Sequence, residues 1–147
     1  MFKNILIPTD GSELSGKAIA HGVALAKSVG AKVTAFFAAP PATPIVYRNS
    51  LPAGFAQPEE HARMIEKTAE KHLGHIERAA KKAGVAFEGM HVTNDYPADA
   101  ILAAARKKKC DLIVMATHGK GGLRGVFIGS VTQKVLNQSK VPVLVLR

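Results

Sequence analysis

The chain has 147 residues, 47% of them hydrophobic, six phenylalanines, two tyrosines, no tryptophan and a formal charge of +9. That length fits one compact domain with its own core, residues 1–147, and leaves little room for a second. A lone cysteine, Cys110, excludes an intramolecular disulfide and a cysteine-built zinc site, and no run approaches the roughly 20 apolar residues of a membrane span.

In chain order, the opening FKNILIP (2–8) reads as a strand, ended by Pro8 and the turn formers Thr9, Asp10, Gly11 and Ser12. Its apolar run is too short for a secretory h-region, so the expected location is cytoplasmic. Asp10 or Ser12 is suited to cap a first helix, with Leu14, Ala18, His21 or Gly22, Leu25 and Val29 at helical spacing before Gly30. VTAFFAA (33–39) reads as a second strand buried on both faces. The segment from Pro40 to Pro58 carries five prolines and is long for a connection in a compact domain.

From Glu59 to Ala83 the residues Ala62, Ile65, Ala69, Leu73, Ile76 and Ala80 predict the apolar face of a long helix stopped by Gly84. A third strand follows at 85–92. Tyr96-Pro97 opens a third helix through Ala98, Ile101, Leu102 and Ala105, and Arg106 to Lys109 closes it with cations that suit a helix C-terminus. The fourth strand is 112–116, the fourth helix 130–137, and the fifth strand runs from Val141 to Leu146.

Strands alternating with helices predict an α/β fold: an open, parallel, five-stranded sheet with helices on both faces. Ligands of such sheets sit beyond the strand C-termini, where the strand order reverses. Two loops qualify, Pro8-Thr9-Asp10 after the first strand and MATHGKGGLRGVFIGSV at the end of the fourth. Pro142, which cannot donate to a ladder, suits an edge strand or the first position of a strand, and pairing with a second copy of the chain would cover an apolar edge and give a homodimer.

The basic charge invites a nucleic-acid reading, but along the long helix the cations interleave with Glu59, Glu60, Glu66, Glu70 and Glu77, as on a solvated face. With few aromatic platforms, neither nucleic acid nor membrane is expected as a partner. The last third is locally positive: no acid follows Asp111.

The glycine loop matches neither common nucleotide fingerprint. It contains no GxxxxGK followed by Ser or Thr, and a GxGxxG would need glycine at Arg124. Gly129-Ser130 does stand at a predicted helix start, where unpaired N–H groups and the helix dipole favour phosphate, and Lys120 and Arg124 add charge. A plain loop with an N-cap serine fits the same residues equally well.

The whole chain resembles the universal stress protein family, through ILIPTDGSE near the start, GSVTQKVLNQSKVPVLVLR at the end, and a loop similar to that family's ATP-binding pattern. Gly119, nine residues, then Gly129-Ser130 match its later part, while Ala116 stands where the pattern has its first glycine. The resemblance implies a Rossmann-like domain of the adenine nucleotide alpha hydrolase-like kind. It implies ATP beside Pro8, Thr9 and Asp10, with Asp10 near the ribose and Ala38 near the adenine. Gly119, Gly129, Ser130 and Val131 would hold the phosphates, and Met115 and His118 would line the approach. Asp10 could help hold magnesium on the phosphates.

Other constellations are weaker. His72 and His75 lack a third ligand, so no metal site is expected, and a Ser130-His118-Asp10 hydrolase lacks the nucleophile-elbow GxSxG. The function expected is a non-enzymatic, ATP-binding stress-response module, a nucleotide-responsive regulator acting as a homodimer. The alternatives are a slow ATPase or self-phosphorylating enzyme in the same pocket, or a family member without nucleotide that acts through protein contacts.

Overall fold

The computed structural model describes residues 1–41, 58–117 and 128–147. Its elements are β1 (Asn4–Thr9), α1 (Glu13–Val29), β2 (Lys32–Ala39), α2 (Pro58–Ala83), β3 (Phe87–Thr93), α3 (Pro97–Lys107), β4 (Leu112–Ala116), α4 (Ser130–Gln138) and β5 (Val143–Leu146). The strands pair in parallel in the order β3-β2-β1-β4-β5. The order reverses between β1 and β4, so the C-terminal ends of these two strands flank the crevice such sheets offer to a ligand.

β1 lies in the middle of the sheet and is buried along its whole length. Ile5, Leu6 and Ile7 are fully buried, each contributing about 1.5–3 kcal/mol by leaving water. Alternation sends Ile5 and Ile7 to one face, with Val33, Leu112 and Val114, beneath α1 and α2. Leu6, Phe36, Ile113 and Met115 go to the other, beneath α3 and α4. α1 approaches β1 and β4 closely at Gly22, where a Cβ would stand 2.6 Å from Ile7 Cδ1.

Several boundaries differ from the sequence reading for local reasons. β3 starts at Phe87 rather than 85, because the Val85 N–H donates to Ala80 O (2.9 Å) in the exit from α2. β5 starts at Val143 rather than 141, because the Val141 N–H is bonded to Ser139 Oγ (3.2 Å) and Pro142 has no donor. Ala62, expected on the buried face of α2, is exposed, and that face begins in earnest at Ala69. Residues 42–57 of the proline-rich segment lie outside the described residues.

At the N-terminal edge of the sheet a polar knot ties three strands. Asn4 is only 4% exposed. Its Oδ1 accepts from Thr34 Oγ1 (2.8 Å), its Nδ2 donates to Lys108 O (2.9 Å), and its N–H donates to Asp111 Oδ1 (3.0 Å). Among the described residues no helix is long and apolar enough to cross a membrane.

Candidate functional site

The β1–α1 loop is built by short-range hydrogen bonds from Thr, Asp and Ser side chains, the types that stabilise turns and caps. Thr9 is buried; its Oγ1 accepts from the Gly11 N–H (3.1 Å) and shares a 3.1 Å hydrogen bond with Ser15 Oγ. The half-buried Asp10 accepts the Ser12 N–H on Oδ1 (2.9 Å). Of the two expected caps, Ser12 is the one that caps α1, accepting the Ser15 N–H at 3.3 Å. Asp10 is thereby fixed at the C-terminal end of the central strand.

Across the crevice, β4 is tied to the start of α4. The Gly129 N–H donates to Thr117 O (2.7 Å), and Thr132 Oγ1 donates to Ala116 O (2.9 Å). Gly129 is the N-cap, with extended backbone and no side-chain cap, so Ser130 is the exposed first helical residue rather than the cap. The Gly129 amide is already used by Thr117. Capacity to bind an anion therefore falls on the first-turn N–H groups of Ser130 and Val131, which a helix leaves without intrahelical partners. The first turn of α4 carries no acidic residue, whereas Glu13, Glu59 and Glu60, and Asp99 stand in the first turns of α1, α2 and α3.

The faces of the sheet sort the remaining expected residues. Met115 is buried among the side chains beneath α3 and α4, and Ala38 and Val131 pack against the same cluster. Alternation from Leu6 puts Pro8 on that face too. Thr9 and Ala116 fall on the opposite face, Ala116 in line with Leu112 and Val114. Ala116 is 9% exposed, and Lys109 is the one non-glycine residue with positive φ among those described, so the strand end carries its methyl without backbone strain. Pro8, Ala38, Met115 and Val131 thus lie on one side of the sheet, with Asp10 following β1 and Ser130 opening α4. His118 and Gly119, like Gly121, Gly122 and Gly125, lie outside the described residues.

His72 is buried and meets Phe37 edge to face, ring centroids 5.1 Å apart, while His75 is exposed and bonded by Arg78 Nη2 (3.0 Å). No group of three potential metal ligands forms among the described residues. Sequence reasoning missed Ser15, Thr117 and Thr132, which hold the two loops. The partners of Thr117 and Thr132 are distant backbone groups, which leave no local spacing to read.

Comparison with known proteins bears on this arrangement. The model of the universal stress protein family matches residues 1–147. A universal stress protein of Methanocaldococcus jannaschii is 35% identical over 147 residues, spanning 100% of this chain and 83% of its own length. The solved structure of another protein of that organism, MJ0577, superposes with a TM-score of 0.81 at 27% identity, covering 99% of this chain and 96% of that one. A universal stress protein solved in complex with cAMP superposes with a TM-score of 0.72 at 27% identity over 99% and 97% of the two chains. The chain belongs to the universal stress protein family.

Proposed function

We propose that this member of the universal stress protein family is an adenine-nucleotide-binding module of the stress response, with ATP as its ligand, binding rather than turning it over. The observation that carries the reading is the Gly129–Thr117 hydrogen bond of 2.7 Å, which brings the acid-free start of α4 to the end of β4, across the crevice from Asp10. A helix N-terminus beside the point of strand reversal suits phosphates. Pro8, Ala38 and Met115 offer an apolar wall for the base, and Asp10 a carboxylate for the ribose or for magnesium on the phosphates. His118 and Gly119 complete the proposed set. The relative solved with cAMP supports an adenine nucleotide as the class of ligand.

Calorimetric titration of nucleotide-free protein with ATP tests this, with saturable one-site binding expected. Ser130→Pro is the matched variant: proline is tolerated at the first helical position after the extended Gly129, yet removes one N–H and the hydroxyl. It is expected to weaken ATP at least about tenfold, the scale of a lost charge-assisted hydrogen bond. Absence of saturable binding to the wild type would leave a family member that works through protein contacts.

The same module is proposed to act as a homodimer through β5. This strand ends the sheet, and Leu144 and Leu136 near it are each 38% exposed. Sedimentation should show a dimer, and Leu144→Lys a monomer.

A further inference from the structure

The fold polarises charge that the sequence scatters. In a parallel sheet with crossover helices, every strand begins and every helix ends at the same edge. Lys27 lies in the last turn of α1, Lys81 and Lys82 in that of α2, and Arg106 and Lys107 in that of α3, followed directly by Lys108 and Lys109. Lys3 and Lys32 stand at the starts of β1 and β2, and Lys140 just before β5. Ten of the chain's 20 Lys and Arg therefore meet at the N-terminal edge of the sheet, and all but the half-buried Lys108 are exposed.

Two carboxylates lie among them. Glu88 is paired with Lys108 and, at 3.7 Å, with Lys32. Asp111 accepts the backbone N–H groups of Lys3 (2.7 Å) and Asn4 (3.0 Å). The C-terminal dipoles of four helices add the equivalent of only about two negative charges. Cap neutralisation thus accounts for a minority of the cations, and the edge keeps a large positive excess. Among the described residues the opposite edge holds Asp10 and the first-turn acids of α1, α2 and α3.

We propose that this N-terminal edge is a docking surface for duplex nucleic acid, bound through its phosphate backbone and without sequence preference. Five strands at about 4.8 Å spread the edge over roughly 19 Å, along which a duplex presents about eleven backbone charges. Phe2 and Phe87, the aromatic residues nearest the edge, are packed against the core beneath α1 and α2 and offer no face on which an unpaired base could stack. Among the described residues the exposed large apolar side chains at this edge are Met1 and, in the last turn of α4, Leu136, too little for insertion into a bilayer. The expectation of no nucleic-acid partner weighed charge along the chain, whereas the fold gathers that charge at one edge.

Fluorescence anisotropy of a labelled 20-base-pair duplex of arbitrary sequence, titrated with the full chain between 50 and 200 mM KCl, tests the proposal. Saturable binding at 100 mM is expected, with affinity falling steeply as salt rises. Removing four edge charges (Lys81→Gln, Lys82→Gln, Arg106→Gln, Lys107→Gln) should make the log–log salt slope shallower by about three and weaken binding at least about tenfold. Removing four exposed charges elsewhere (Lys17→Gln, Arg63→Gln, Lys67→Gln, Lys71→Gln) makes the same change in net charge and should alter affinity less than about threefold. Equal weakening by the two sets would reduce the effect to net charge and overturn the proposal. So would no binding at 100 mM, or edge-dependent binding to phosphatidylserine vesicles with none to the duplex.

Discussion

The imidazole of His72 fills the volume that any side chain at Gly11 would need: an ideal Cβ there would stand 2.0 Å from His72 Cε1. Gly11 also has φ +77°, in the left-handed region. A long helix therefore reaches, through one ring, the loop that carries Asp10. Gly11→Ala should cost about 2–4 kcal/mol in denaturant unfolding, combining left-handed strain with overpacking. Because His72 is the obstacle, His72→Ala in the same chain should recover part of that loss. A double-mutant cycle should show a coupling above about 0.5 kcal/mol, and strict additivity would disconnect the two residues.

Thr132 holds the other side of the crevice. Its hydroxyl bond to Ala116 O is buried, so Thr132→Val leaves a carbonyl without that partner and should cost about 1–3 kcal/mol. ATP affinity should fall with it, since one of the two hydrogen bonds that pin the start of α4 to the end of β4 is lost while the Gly129–Thr117 bond remains. Ala116→Gly, by contrast, removes a methyl on the face away from Met115 and Ala38, and ATP affinity measured by calorimetry should change less than about threefold.

Burial pushes the Cys110 thiol up from its ordinary range, against a hydrogen bond with Thr34 and the attraction of Lys32. The thiol is 5% exposed. A raised folded pKa means that the native state keeps its proton where the unfolded chain loses it, so this group's contribution to stability falls as pH rises above about 8.5, the ordinary thiol value. Cys110→Ala should remove that alkaline slope, and at pH 8 a thiol-disulfide reagent should react slowly with the native protein and quickly in denaturant.

Glu88 behaves in the opposite sense. The hydrogen bond from Lys108 outweighs the desolvation of the carboxyl and, with the charges of Lys108 and Lys32, holds it below the usual range. Its contribution is present above the ordinary glutamate pKa and is lost as pH falls through the depressed folded value. Glu88→Gln should flatten the acid limb of a stability profile while changing stability at pH 7 by no more than about 1 kcal/mol, as for other solvent-accessible pairs.

What the sequence disclosed follows from which signals are local. β4 was readable to the residue because an unbroken apolar run between Asp111 and a polar loop leaves no other reading. The end of α1 at Gly30 was readable and its start was narrowed to Asp10 or Ser12, because caps announce themselves within a turn. Asn4 went unread, since an asparagine inside a strand looks like an error until Thr34 and Asp111 are seen to share it. At the crevice, Pro8, Asp10 and Ser130 were legible as lying near the ends of elements, whereas Met115 entered only through the family resemblance. The Gly129 amide was not, because its partner Thr117 lies twelve residues earlier in the chain and leaves no local spacing to read. Ala116 looked like an intrusion from its position in a motif, and only alternation along β4 shows which way its methyl faces.

The central place of β1 has a further consequence for how the chain is made. β1 is synthesised first, pairs with β2 soon afterwards, and meets its second neighbour only when β4 emerges, roughly twenty residues after β3 is complete. From the end of β2 at Ala39 to the start of β4 at Leu112 the chain adds 73 residues, so at ribosomal rates of about 5–20 residues per second one side of a wholly buried strand stays uncovered for about 4–15 s. During that interval the nascent chain carries an apolar, unpaired edge able to pair with another copy. Synthesis thus opens a route to pairing between copies that the finished sheet, with β1 flanked by β2 and β4, closes.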